Sequence, residues 1–151
     1  MQSDDVDGIA RQLASLQGGD AQGHQRLVDV AERFVALIDR GDIDGLLGLL
    51  SDDIVVDDPV GIVHLEGKRE FEPFFREGRP KAGTALRLTG PVRTTAGREA
   101  ALPLMAELTM DGHRYAADII TTIEVGENGL ICAFRAYWNP ARMQPIEPTE
   151  Q

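Results

Sequence analysis

Asp57 and Asp58 stand at the end of the apolar run Ile54-Val55-Val56, immediately before Pro59-Val60-Gly61. A carboxylate serves as a general base when it is held near its substrate and partial desolvation raises its basicity. The run supplies a way of holding it. Three β-branched residues favour an extended strand, and Pro59 removes a backbone donor and biases the residue before it towards extended geometry, so the strand ends there. Side chains alternate along a strand, which puts Ile54, Val56 and Asp58 on one face and Val55 and Asp57 on the other. If the first face lines a cavity, Asp58 is a lone carboxylate at the end of an apolar row. Taken alone, the pair also fits two solvated aspartates closing a strand.

Other chemistry is poorly supplied. His24, His64 and His113 are scattered, with no His-x-x-x-His pattern and a single cysteine, so no metal site is expected. No glycine-rich phosphate loop, dinucleotide fingerprint or nucleophile elbow is present, and no cofactor is expected. Cys132 lies in the apolar run Leu130 to Phe134, which points to an inert buried thiol. Asp118 and Glu107 each interrupt an apolar run, where a carboxylate must be paired, functional or on the wet face of a strand. Alternation places Asp118 with Ile120, opposite Ala117, Ile119 and Thr121.

The elements that must position these groups can be read from periodicity. The first stretch, Met1 to about Gly23, is rich in Gln, Asp and Gly, and is expected to be a flexible extension with at most a turn or short helix. From Gln25, the apolar residues Leu27, Val30, Ala31, Phe34, Val35 and Ile38 make one helical stripe that ends at Arg40-Gly41. Asp42 can cap a second short helix carrying Leu46, Leu47, Leu49 and Leu50, closed by Ser51-Asp52. After the acidic strand, residues 60–65 form an irregular connection or a second short strand. A third helix follows Gly67, with Phe71, Phe74 and Phe75 on its apolar side, and ends near Gly78; Pro80 to Gly83 reads as a loop.

Strands fill the rest: Thr84 to Thr95, Arg98 to Met110, His113 to Val125 and Leu130 to Trp138, with Asp111-Gly112 and Glu127-Asn128-Gly129 as turns. Three helices followed by four long strands imply an α+β domain, with the helices packed on one face of an antiparallel sheet. The expected organisation is an extension over 1–24, one domain over 25–140 and an irregular tail over 141–151. A chain of 151 residues with 42% hydrophobic and 26% charged residues suits one globular domain. Its net charge of -10 argues against nucleic acid and anionic membranes as partners. No apolar run approaches the roughly eighteen residues of a membrane span, and no basic-then-apolar signal opens the chain, so a soluble cytoplasmic protein is expected.

Leu37-Ile-Asp-Arg-Gly-Asp-Ile-Asp44, Asp52-Asp53, Asp57-Asp58-Pro59-Val60-Gly61, Gly67-Lys-Arg-Glu70, Leu88-Thr-Gly-Pro-Val-Arg93 and Ala136-Tyr-Trp138 follow one another in a recognisable order. In these residues, almost without gaps from Val30 to Trp138, the chain resembles the ketosteroid isomerase branch of the NTF2-like (SnoaL-like) superfamily. The resemblance implies a cone-shaped fold: three helices on a curved antiparallel or mixed sheet enclosing an apolar pocket. It also implies a homodimer formed through the exposed sheet face. In ketosteroid isomerases an aspartate base moves a proton between carbons near a carbonyl, while a tyrosine and a protonated aspartic acid stabilise the dienolate oxygen.

Carried over by position, the base is Asp58. The oxyanion tyrosine falls at Phe34, which has no hydroxyl, and the oxyanion acid at Thr121, a weaker donor. Two supporting tyrosines fall at Leu50 and Phe75. Phe34, Ile38, Phe74, Leu104, Ala106, Leu108, Ile119, Phe134 and Trp138 make an apolar wall for the substrate. Tyr115 shares the parity of Thr121 but lies six residues away, roughly 20 Å along a strand, too far to replace the missing donor. The implied activity is that of an isomerase with a weakened oxyanion hole, acting on an apolar steroid-like or polyketide-like molecule. Two alternatives stay open: a polyketide-pathway cyclase or epoxide hydrolase of the same fold, for which Glu66 and Glu107 are candidate second carboxylates, and a non-catalytic small-molecule-binding protein.

Overall fold

The structure, a computed structural model, describes residues 3–82 and 84–148. Among these, four helices accompany one mixed sheet. The helices are α1 (Ser3–Ser15), α2 (Ala21–Asp39), α3 (Ile43–Leu49) and α4 (Lys68–Ala82). The strands are β1 (Leu50–Asp57), β2 (His64–Glu66), β3 (Thr84–Leu88), β4 (Arg93–Thr94), β5 (Glu99–Met110), β6 (His113–Val125), β7 (Ile131–Tyr137) and β8 (Gln144–Pro145). The sheet runs β2-β1-β7-β6-β5-β3, with β4 paired to β5 and β8 to β6. β1 and β7 are parallel and the other pairs antiparallel, so the sheet is mixed and open.

Curvature and burial follow from local sequence. The long hairpin β5–β6 turns at Asp111-Gly112, both at positive φ, the conformation that a tight turn requires and that Asp and Gly tolerate. Register shifts between Leu50 and Val55 on β1, and between Glu124 and Val125 on β6, bend the sheet as bulges do. The α2 stripe packs into the concave side, where Leu27, Ala31, Phe34, Val35 and Leu37 are buried. Phe134 of β7 lies edge-on to both Phe34 and Phe71, with ring centroids 5.2 and 5.7 Å apart. These rings join the helical layer to the sheet.

Several elements differ from the periodicity reading. Ser3–Ser15 is a full helix rather than a turn, and each of its residues whose side chain is described is exposed. α2 starts at Ala21 instead of Gln25, because Asp20 caps it by accepting from Gly23 N–H at 2.9 Å. Leu50 belongs to β1 and not to the second helix; its backbone is extended and its side chain is fully buried in the sheet layer. Pro80 to Ala82 continue α4, since a proline forfeits one i−4 hydrogen bond without forbidding the next turn. Gly83 of the expected loop lies outside the described residues, as do Met1 and Gln2 of the extension and Thr149 to Gln151 of the tail. The expected strand over 84–95 is broken between β3 and β4, where Pro91 cannot donate to a ladder. The tail over 141–151 is ordered in part, with a 3-10 turn at Pro140–Arg142 and then β8. Among the described residues, no helix is long and apolar enough to cross a membrane.

The buried ring cluster and the exposed first helix make opposite demands on stability. Phe71→Ala is expected to lower the unfolding free energy by about 3–5 kcal/mol in urea titration, because Phe71 is only 1% exposed. Ile9→Ala, on a residue 49% exposed, should stay within about 0.5 kcal/mol of the parent.

Candidate active site

Asp58 follows directly on the last residue of β1. Its N–H donates to the Val63 carbonyl at 3.1 Å, and Val60 N–H donates to the Ala136 carbonyl at 2.9 Å. The turn is thereby pinned to β7, and the Asp58–Pro59 peptide within it is cis. On β1, Ile54 and Val56 are fully buried, as alternation requires for the face that continues into Asp58. Asp57, on the other face, is held by both neighbours: His64 Nδ1 at 2.8 Å from Oδ1, and Arg135 Nε at 3.3 Å from Oδ2. His64 and Arg135 are its register partners on β2 and β7. One aspartate faces inwards and the other ties three strands together.

The inner face opens on a cavity of about 320 Å³. Alternate residues of the long strands line it: Leu104, Ala106, Leu108 and Met110 from β5, Ile119 and Thr121 from β6, and Phe134 and Ala136 from β7, with Trp138 just beyond. The helices supply Phe34 and Ile38 from α2 and Phe74, Phe75 and Gly78 from α4; Leu86 of β3 completes the wall. Every residue that the sequence placed in the pocket is brought to it. Phe75, Gly78, Leu86, Met110 and Ala136 were not expected there as lining. The i+2 rule along β5 and β7 would have found Met110 and Ala136.

Asp58 and Thr121 supply the carboxyl and hydroxyl in this lining. Thr121 is 3% exposed, and no described residue hydrogen-bonds to its hydroxyl, which leaves that group available to a ligand. Thr121 pairs with Ala136, while the β1–β7 register runs up to Asp57 opposite Arg135. Asp58 and Thr121 therefore flank Ala136 on the two sides of β7, about 10 Å apart at the backbone by the inter-strand spacing. An oxygen-bearing ligand a few atoms long spans that gap.

Trp138 Nε1 donates to Asp58 Oδ1 at 2.8 Å. Burial pushes the Asp58 carboxyl above its usual range, and the indole N–H pulls it part of the way back. Trp138 was expected only as apolar wall. Its indole carries a polar N–H that finds a partner when buried, and that was the available signal.

The remaining carboxylates lie elsewhere. Asp118 is exposed on the outer sheet face, as parity predicted, beside Ile120 at 48% exposure. Glu107 pairs with Arg114 across the β5–β6 hairpin, and Glu66 accepts from His64 Nε2 at 3.3 Å; neither lines the cavity. Tyr115 lies opposite Leu108, outside the lining, and Leu50 is buried away from it. Cys132 is half-exposed rather than buried. It falls at the bulge where Glu124 faces Ala133 and Val125 faces Ile131, which removes it from the strand's alternation. Its thiol donates to the Glu124 carbonyl at 3.5 Å, and desolvation pushes the thiol up.

The sequence profile of the SnoaL-like domain matches residues 31–140. Among solved structures, a Δ5-3-ketosteroid isomerase from Mycobacterium sp. is similar at 25% identity and a TM-score of 0.72, over 80% of this chain and 98% of that one. The epoxide hydrolase/cyclase-like enzyme SalBIII, of pyran ring formation in the polyether salinomycin, is similar at 18% identity and a TM-score of 0.75, over 82% and 98% of the two chains. RV0760c from Mycobacterium tuberculosis, in complex with estradiol-17β-hemisuccinate, is similar at 23% identity and a TM-score of 0.72, over 79% and 98%. The architecture is the NTF2-like cone.

The raised carboxyl makes a stability prediction with a definite sign. The folded protein keeps a proton on Asp58 over a pH range in which the unfolded chain has released it. Stability from that proton is full below the ordinary value of 3.8 and is lost as pH rises through the raised folded value. At pH 8 the parent therefore bears a desolvated carboxylate, which Asp58→Asn removes while keeping an acceptor for Trp138. The variant should have the higher urea midpoint at pH 8, and the difference should vanish at pH 3. Equal midpoints at both values would contradict the burial of this group.

Proposed function

Because the chain belongs to the SnoaL-like domain family, we propose that it is an isomerase-type enzyme in which Asp58 is the general base. Asp58 takes a proton from a carbon beside a carbonyl and returns it to a second carbon, shifting a double bond in an apolar polycyclic substrate. The observation that carries this reading is a lone carboxyl at the end of an otherwise apolar cavity, with one oxygen tied to Trp138. The indole fixes the group's orientation, and the low-polarity surroundings strengthen it as a base. The likeness to the ketosteroid isomerase supports the reading.

Stabilising the developing enolate is the weaker half of the site. Thr121 is the hydroxyl donor available, and Phe34 stands where a tyrosine would donate. A missing oxyanion donor typically lowers turnover about a hundredfold to a thousandfold. The proposed enzyme is therefore slow on a substrate whose dienolate needs two strong donors. The absent phenol also favours a second reading, ring closure or epoxide opening, which depends less on an oxyanion hole; SalBIII supports it. Against it, Glu66 and Glu107 are engaged outside the cavity, so the second carboxylate of acid–base epoxide opening is missing. A homodimer through the outer sheet face is supported by Ile120 and Tyr137, which are 48% and 43% exposed there.

With a 5-ene-3-ketosteroid as substrate, Asp58→Asn should lose about 10²–10⁴ of kcat. The acidic limb of the parent's kcat/KM profile should lie above the ordinary aspartate range, since catalysis requires the deprotonated base. Trp138→Phe removes the donor that lowers Asp58 and should move that limb to higher pH. Phe34→Tyr should restore a donor and raise kcat by about tenfold or more. Tight binding of an equilenin-like ligand with no turnover would leave the protein a binder and sink the isomerase.

A further inference from the structure

The family match stops at residue 140, and the chain beyond it returns to the site from behind. After the turn at Pro140–Arg142, β8 lies along β6, with Tyr115 opposite Pro145 and Ala116 opposite Gln144. Ile146 N–H donates to the Arg114 carbonyl at 2.9 Å. β7 pairs with β6 only from Ile120 onwards, so the tail takes the edge of β6 that β7 leaves free. A two-residue strand has little stability of its own. It is anchored by Met143, which packs against the hydrophobic core.

Trp138 stands between two spaces. It lines the cavity that holds Asp58, and also a separate cavity of about 370 Å³. That second space is bounded by Met105 and Asp118 of the sheet and by Asn139, Arg142, Met143 and Gln144 of the returning tail. The indole is thus a partition whose N–H must meet Asp58 Oδ1. The outer torsion of a tryptophan side chain is broad, so rotamer preference alone does not hold the ring at the angle this bond needs. On the side away from Asp58, the tail closes the space into which the ring would turn.

We propose that the segment from Asn139 to Ile146 is a positioning element, which holds the Trp138 indole from behind and through it orients the Asp58 carboxylate. The proposal rests on the reading of Asp58 as the base. It gives the tail a function in catalysis without contact with the substrate. Loosening the tail leaves the base in place but unaligned, so the effect falls on kcat, because misplacement by about an ångström weakens proton transfer far more than binding.

The test uses the full-length chain with Met143→Gly, which removes the anchor, and Ile146→Pro, which removes the backbone donor to β6. The protein has one tryptophan, so the indole N–H gives a single nuclear magnetic resonance signal. Its exchange with solvent should accelerate by about tenfold or more in both variants. On the ketosteroid, kcat should fall about fivefold or more with KM changed less than about twofold. In a Trp138→Phe background the same tail changes should alter kcat less than about twofold, since the route they act through is gone. Unchanged indole exchange, unchanged kcat, or an equal loss of kcat in the Trp138→Phe background would each overturn the proposal. A parent that turns over no ketosteroid defeats the base reading by itself, while indole exchange still decides whether the tail holds the ring.

Discussion

A carboxyl group set into an apolar wall has to be kept there against its own hydration, and much of this structure is arranged around that requirement. Desolvation favours the neutral form of Asp58, and a single N–H from Trp138 opposes it. Too little opposition would leave an acid protonated through the working range. Too much, from two or three donors, would leave a carboxylate too weak to accept a carbon-bound proton. One indole donor at 2.8 Å is an intermediate setting, and it leaves the other oxygen for the substrate.

The two faces of β1 divide the work of holding that group. Inwards, Ile54 and Val56 carry the strand through the core up to Asp58. Outwards, Asp57 binds His64 and Arg135, its neighbours on β2 and β7. His64 lies between Asp57 and Glu66, whose hydrogen bonds raise its basicity and favour the imidazolium, which donates from both nitrogens. These outer pairs are largely solvated and contribute little to overall stability. Their effect is local: they fix the end of the strand where a small rotation would turn the neighbouring carboxyl out of the cavity.

The aromatic side of the pocket is consistent with this chemistry. Phe34 packs edge-on against Phe134, and Phe75 lies against Phe71 with centroids 5.3 Å apart. Where a hydroxyl network would need every member satisfied, rings fill the positions together and leave no orphaned donor. Binding is therefore governed by shape and apolar area, with polarity concentrated along the line from Asp58 to Thr121.

The chain's own pattern was enough to indicate the α+β class, the stripe of α2, the β5–β6 hairpin and the opposite orientations of Asp57 and Asp58. Each is a local consequence of a period of 3.6 or 2, or of a turn residue. It was also enough to separate Asp118 from Thr121, since parity along one strand needs no knowledge of its neighbours. What periodicity missed was either masked by composition or non-local. The first helix was hidden by a Gln-, Asp- and Gly-rich stretch, and the start of α2 by a cap at Asp20. The Cys132 bulge depends on how β6 and β7 register, which neither strand specifies alone. The bond between Trp138 and Asp58 joins residues 80 positions apart in the chain, and exists only because β1 and β7 lie parallel and adjacent. Composition can place a carboxylate at the end of a strand, but only the fold decides which single donor meets it and what stands behind that donor.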